Sequence, residues 1–163
     1  MVEVWPLDMN SYDSIKAFAE RASQLPHLDI ALLNAGVVSV TYQASQYGWE
    51  ETLQVNTIST ALLGLLLLPK IKASKTATST PVLEIVSSGN HMRVAFTQQE
   101  RAAKSILESV NNPKTYTVGR QYSISKLLVM YIMQSLANMA LGEDGEPEVI
   151  VTSACVSQNL TTL

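Results

Sequence analysis

The fold class turns on the stretch Leu28-Asp29-Ile30-Ala31-Leu32-Leu33-Asn34-Ala35-Gly36. Its first part, Leu28–Leu33, is apolar but for Asp29 and stops abruptly at a turn signal. A half-solvated strand would alternate apolar and polar side chains. A short continuous apolar run instead predicts a strand covered on both faces, as in a parallel sheet. The closing Asn34-Ala35-Gly36 is either a simple turn or a place where glycine lets a ligand come close to the backbone.

Outward from this strand, the chain alternates. Ile15, Phe18, Ala19, Ala22 and Leu25 recur at helical spacing, which predicts an amphipathic helix over 11–24. Asn10 or Ser11 supplies its N-cap, Asp13 suits the positive end of its dipole, and Pro26 ends it. Ahead of it, Val2–Leu7 is a short β-prone run that stops at Asp8. On the other side, residues 49–72 predict a long helix that is apolar nearly all round, and 74–80 a polar connector. Val82–Val86 reads as a second buried strand, closed by Ser87-Ser88-Gly89. Thr97 and Glu100 have capping-box spacing and open a helix running to about residue 110, where Asn111-Asn112-Pro113 breaks it. Residues 121–141 predict a third apolar helix, stopped by Gly142, and Val149–Thr152 begins a final strand. This alternation predicts an α/β fold: one domain over 1–163, a parallel sheet, right-handed crossovers and no internal repeat.

Composition narrows the function classes. Apolar residues make up 47 % of the 163-residue chain and charged ones 15 %, which is the profile of a chain with a sizeable core. The net charge of −3 offers no basic surface, so no nucleic-acid partner is expected. The most apolar stretch, Ala61–Leu68, is shorter than the roughly 20 residues a bilayer span needs, so it predicts a buried helix and no membrane partner. The N-terminus has neither a basic flank nor a long apolar region, which with the single cysteine makes a reducing, cytoplasmic location the expectation. Cys155, at a strand end, is expected to be a small buried apolar residue.

Four segments carry chemistry: Asn34-Ala35-Gly36 and Ser87-Ser88 stand at strand ends, where open α/β sheets bind ligands, and Asn56 and Tyr122–Lys126 stand on two helices. In Tyr122-Ser123-Ile124-Ser125-Lys126, Tyr and Lys at i and i+4 share a helical face, about 5–6 Å apart at Cβ. An ammonium beside a phenol favours the phenolate, which suits acid/base work. The same spacing also fits an ordinary amphipathic helix with a half-buried Tyr and a solvated Lys. A hydroxyl of Ser87-Ser88 could hydrogen-bond a substrate carbonyl, or the pair could be a polar turn. Asn56 is an amide inside an apolar helix; it must be hydrogen-bonded, to a ligand or to a neighbouring helix. His27 and His91 each read as a turn or surface residue, with His91 and Met92 placed where they could touch a substrate. No set of metal ligands is read from the sequence.

Taken together, Asp8, Asn34-Ala35-Gly36, Asn56, Ser88 and Tyr122/Lys126 occur in the order and strand context of the short-chain dehydrogenase/reductase family, which the chain resembles over about residues 2–162. The resemblance implies an incomplete Rossmann-like, doubly wound parallel sheet and an oxidoreductase that interconverts a carbonyl and an alcohol with NADP or NAD, NADP being put first. It implies that Tyr122 is the proton donor or acceptor, that Lys126 favours its phenolate and binds the nicotinamide ribose, and that Ser88 polarises the carbonyl. Asn56 would hold a water that relays protons to Lys126, Asp8 would contact the adenine, and Asn34 with Gly36 would line the cofactor cleft. The substrate implied is a small-molecule carbonyl or alcohol, which the apolar character of the chain and the long 90–121 segment suggest is hydrophobic or extended. Pairing through the helices at 49–72 and 121–141 would give a homo- or hetero-oligomer with a relative.

The family's Thr-Gly-x-x-x-Gly-x-Gly loop has no counterpart among the glycines at 36, 48, 64, 89, 119, 142 and 145. The chain is therefore expected to correspond to family strands 3 to 6, truncated at both ends. Val2–Leu7 would then lack its usual neighbour: it re-pairs beside the Leu28–Leu33 strand, hangs loosely, or leaves a gap for another chain. Val156 and Ser157 stand where the family has Pro-Gly, and Thr161 or Thr162 where it has a cofactor-contacting Thr. Two other readings stay open: a non-redox isomerase or cyclase using the same Tyr and Lys, and a catalytically impaired dimerisation partner.

Overall fold

A computed structural model describes residues 2–155; Val156, Ser157, Thr161 and Thr162 lie outside them. The elements in order are α1 (Tyr12–Ser23), β1 (Ile30–Leu33), α2 (Glu51–Ala73), β2 (Val82–Ser87), a 3-10 turn (Gly89–Arg93), α3 (Gln98–Ala102), α4 (Ile106–Val110), α5 (Val118–Met139) and β3 (Ile150–Cys155). The strands form one parallel sheet in the order β1-β2-β3, in which Ala31 pairs with Leu83 and Leu83 with Val151. The expected α/β parallel sheet is therefore present.

The helices that pack on it share one face. Ala31, Leu33, Leu83 and Ile85 join Ile15, Ala19 and Ala22 of α1, Leu63, Leu67 and Ile71 of α2, and Val129 and Leu136 of α5 in one buried cluster. On the opposite face Ile30 is 69 % and Leu32 57 % exposed. This corrects the expectation that Leu28–Leu33 is covered on both faces. The apolar run could not report it, because Ile30 and Leu32 carry the same residue type as their buried neighbours.

α1 begins at Ser11, whose side chain accepts from the Ser14 amide; of the two candidate caps, Ser11 is the one used. Val2–Leu7 is not a strand. Its extended chain lays Trp5 edge-on to Phe18, with the Arg21 guanidinium 4.1 Å over the indole, while Leu7 packs on the core. A hollow of about 270 Å³, lined by Trp5, Leu7, Phe18, Leu25, Ile30 and Leu32 among others, separates it from β1. Among the described residues no ladder joins the two backbones, and β1 pairs with β2.

The helix expected over 97–110 is two short ones. Thr97 and Glu100 do form the capping box, but Ala103 is extended and Ser105 caps a new start at Ile106. A serine able to cap from its own side chain makes the restart cheap. By length and composition α2 is apolar enough to cross a membrane, yet 67 % of its most apolar window is buried inside the fold. It is the core helix, and it carries a π-helical stretch, Gln54–Ser59, around Asn56.

Candidate active site

The end of β1, the end of β2 and the second turn of α5 meet around a cavity of about 280 Å³. Asn34, Gly36, Val37, Val86, Ser88, Tyr122 and Lys126 are among its lining residues. Parallel strands place all their C-terminal ends on one edge, so residues distant in sequence converge there. Of the residues singled out above, Asn34, Gly36, Ser88, Tyr122 and Lys126 line this space, and Asn56 stands directly behind its wall.

The two serines divide the work. Ser87 is buried and its hydroxyl donates to the Lys126 carbonyl at 3.3 Å, tying β2 to α5. Ser88 lines the cavity and caps the 3-10 turn, its hydroxyl oxygen accepting from the Asn90 amide at 3.3 Å. His91 follows in that turn, its Nδ1 2.7 Å from the Ser88 carbonyl oxygen; a carbonyl only accepts, so Nδ1 carries the proton. Met92 is exposed, and neither residue lines the cavity.

Lys126 is only 5 % exposed, not the solvated lysine of an ordinary amphipathic helix. Its Nζ donates to the Val86 carbonyl at 2.9 Å, which leaves two of its three donors for other partners. The ammonium lies 5.8 Å from the centre of the Tyr122 ring. Burial pushes the Lys126 ammonium below the usual lysine range, with Cys155 pulling the other way. Cys155 itself is exposed, which corrects the expectation of a buried apolar thiol. It ends β3, which among the described residues is an outer strand of the sheet.

Asn56 is a clamp. Its Oδ1 accepts from the Val37 amide at 2.8 Å, and its Nδ2 donates to the Val37 carbonyl at 2.9 Å and to Ser125 Oγ at 3.1 Å. The loop after β1, helix α2 and helix α5 are thus held at one amide. The π-helical widening carries this residue, and such widenings recur at functional sites. A Cβ on Gly36 would sit 3.2 Å from Asn56 Oδ1 and 3.6 Å from Lys126 Nζ, so glycine keeps this corner open.

Asp8 stands apart. It is exposed, its carboxylate accepts from the Asn10 amide at 2.8 Å at the entry to α1, and it does not line the cavity. Residues that the motifs did not mark also matter. Ser125 joins Asn56 to the Tyr122 carbonyl, and the fully buried Glu50 caps α2. The Ser125 link to Asn56 spans 69 positions and depends on which helices end up adjacent, whereas the Glu50 cap is local, made with the amides of Thr52 and Leu53.

The profile of the short chain dehydrogenase family matches residues 1–111. The chain belongs to that family. Over 156 residues it is 45 % identical to the short-chain dehydrogenase/reductase phmF of Phaeosphaeria nodorum, covering 94 % of this chain and 45 % of that protein. Over 159 residues it is 45 % identical to the short-chain dehydrogenase/reductase ffsI of Aspergillus flavipes, covering 96 % of this chain and 45 % of that one. This short-chain dehydrogenase therefore spans about half the length of the curated relatives it matches. Among solved structures, an uncharacterised protein of Mycobacterium paratuberculosis superposes with a TM-score of 0.74 at 24 % identity, covering 99 % of this chain and 53 % of its own. The Pseudomonas aeruginosa RhlG/NADP complex superposes with a TM-score of 0.66 at 20 % identity, covering 93 % and 51 %. At these identities the likeness is one of fold.

Proposed function

We propose that this chain carries the acid/base face of an NAD(P)-dependent oxidoreductase that interconverts a small, apolar carbonyl compound and its alcohol. The observation that carries the reading is the convergence of Ser88, Tyr122 and Lys126 on one cavity. In reduction, the Tyr122 hydroxyl gives its proton to the carbonyl oxygen; in alcohol oxidation the phenolate takes it back. The Ser88 hydroxyl donates to the same oxygen and stabilises the charge that develops there. Lys126 supplies a fixed positive charge beside the phenol and two free donors for ribose hydroxyls. Asn56 positions the Val37 loop and α5 for this work, and a proton-relay water beside Lys126 belongs to the same proposal.

The residues present fit the nicotinamide-ribose end of the cofactor. Support comes from Gly36, where a side chain would crowd the space over Asn56 and Lys126. The seven glycines are dispersed along the sequence, so no cluster in this chain cradles a diphosphate. Asp8 is the residue proposed to meet the adenine. When bound, NAD(P) supplies the hydride. NADP is put first, and NAD is the alternative.

An oligomer belongs to the same reading. Ile58, Leu62 and Leu65 of α2 and Leu128, Ile132 and Met139 of α5 line an apolar groove of about 540 Å³ on the outside of the helix layer, suited to helices of a homologous subunit. The deciding experiment titrates NADPH by fluorescence and then measures reduction of a panel of apolar ketones. Saturable binding is expected, with Tyr122→Phe binding NADPH equally well and turning over about 10²-fold or more slowly. Failure of NADPH to saturate sinks the redox reading, and Tyr122-dependent turnover without cofactor moves it to isomerase chemistry.

A further inference from the structure

Glu50 makes a link that the cavity itself does not call for. Its side chain is fully buried, and among the described residues no Lys or Arg forms an ion pair with it. Its carboxylate accepts from the Thr52 amide at 3.0 Å and the Leu53 amide at 3.1 Å, capping α2. It also accepts from Gln121 Nε2 at 3.0 Å, and Gln121 is 4 % exposed. Burying a carboxylate without a cation is costly, and an N-cap alone is served as well by Ser, Thr, Asp or Asn. The longer Glu side chain does what those cannot: it reaches from the start of α2 to the start of α5.

We propose that the Glu50–Gln121 bond is a positioning device for Tyr122, the residue next along α5. This rests on the reading of Tyr122 as the proton donor. The segment leading into α5 is tied at both ends to the same short stretch. Asn111 Oδ1 accepts from the Glu50 amide at 2.8 Å, and Asn111 Nδ2 donates to the Gly48 carbonyl at 2.8 Å. Gln121 closes the other end. Adjacent residues on a helix point about 100° apart, so holding Gln121 fixes the rotation of α5 at Tyr122. A phenol oxygen stands roughly 9 Å from a helix axis, so a rotation of about 10° would carry it about 1.5 Å. A misplacement of about 1 Å can cost 10²-fold in rate. Ser125 and Lys126 anchor the helix only a turn later.

The test uses the full chain with Gln121→Met, which keeps size and apolar packing but removes the donor. Three readouts are taken: thermal melting, NADPH-dependent ketone reduction, and the ¹⁹F resonance of Tyr122 in 3-fluorotyrosine-labelled protein, assigned by Tyr122→Phe. The expected result is a folded variant with a displaced Tyr122 resonance, kcat lowered about 10- to 100-fold and KM for NADPH within about two-fold. An unmoved resonance in the folded variant overturns the proposal, and so does a moved resonance with unchanged kcat. Should the unsubstituted chain not turn over, the oxidoreductase reading fails, while the resonance still decides the positioning claim. If Gln121→Met does not fold, Glu50→Asp takes its place: the shorter acid keeps the α2 cap and loses the reach to Gln121.

Discussion

Replacing Asn56 by alanine tests whether one buried amide holds the active-site wall together. The change deletes three hydrogen bonds, two to the backbone of Val37 and one to Ser125. Each is worth about 0.5–1.5 kcal/mol net, and the loss is toward the upper end where the abandoned partner stays buried. Val37 is partly exposed, so water re-satisfies some of its backbone, whereas Ser125 is fully buried. The expected destabilisation is about 2–4 kcal/mol, which for a chain of this size lowers Tm by roughly 5–15 °C. Circular dichroism melts and urea titrations of Asn56→Ala and Ser125→Ala measure it side by side. Ser125→Ala removes the bond to Asn56 but leaves the Val37 clamp, so it is expected to cost only about 1 kcal/mol. Equal losses for the two variants would refute the clamp and reduce Asn56 to a single helix-to-helix bond.

The remaining expectations are independent of that result. Burial lowers the Lys126 pKa in the folded chain, so between that value and the usual lysine value the unfolded chain binds more protons, and stability rises with pH across that window. Lys126→Met removes this rise, which shows as a flatter stability curve across that window in denaturant titrations of variant against parent. Gly64→Ala would bring a methyl to 2.9 Å from Leu136 Cδ1 where α2 meets α5; overpacking of about 1–3 kcal/mol outweighs the gain of up to about 1 kcal/mol in helix propensity, and Tm falls. Leu32→Ser, on the open sheet face, is expected to change stability by about 0.5 kcal/mol or less, while Leu83→Ala, fully buried one strand away, costs about 2–5 kcal/mol. Comparable losses from the two would mean that both faces are covered.

The sequence by itself determined the long helices and the three paired strands, because apolar periodicity and turn residues act locally. The parallel sheet, the Thr97/Glu100 capping box, a cap at Asn10 or Ser11, and most of the polar residues gathered at the strand ends, Asp8 excepted, were legible there. Its misreadings fall where a residue's surroundings lie far along the chain. Val2–Leu7 has the residues of a strand but faces a hollow in place of a partner, and Ile30 and Leu32 are as apolar as Ala31 and Leu33 yet point to the uncovered side. Cys155 is exposed at the end of β3 although its strand partner Ser87 is buried, and the restart at Ser105 is the exception, a local choice between two acceptable helix paths. Only the tertiary structure decided that Lys126 is buried against Val86, that Asn56 grips Val37 and Ser125, and that Glu50 reaches Gln121. Hydrogen bonds between residues dozens of positions apart depend on how helices dock on the sheet, and that docking follows from summed burial over the whole core, which no local pattern contains.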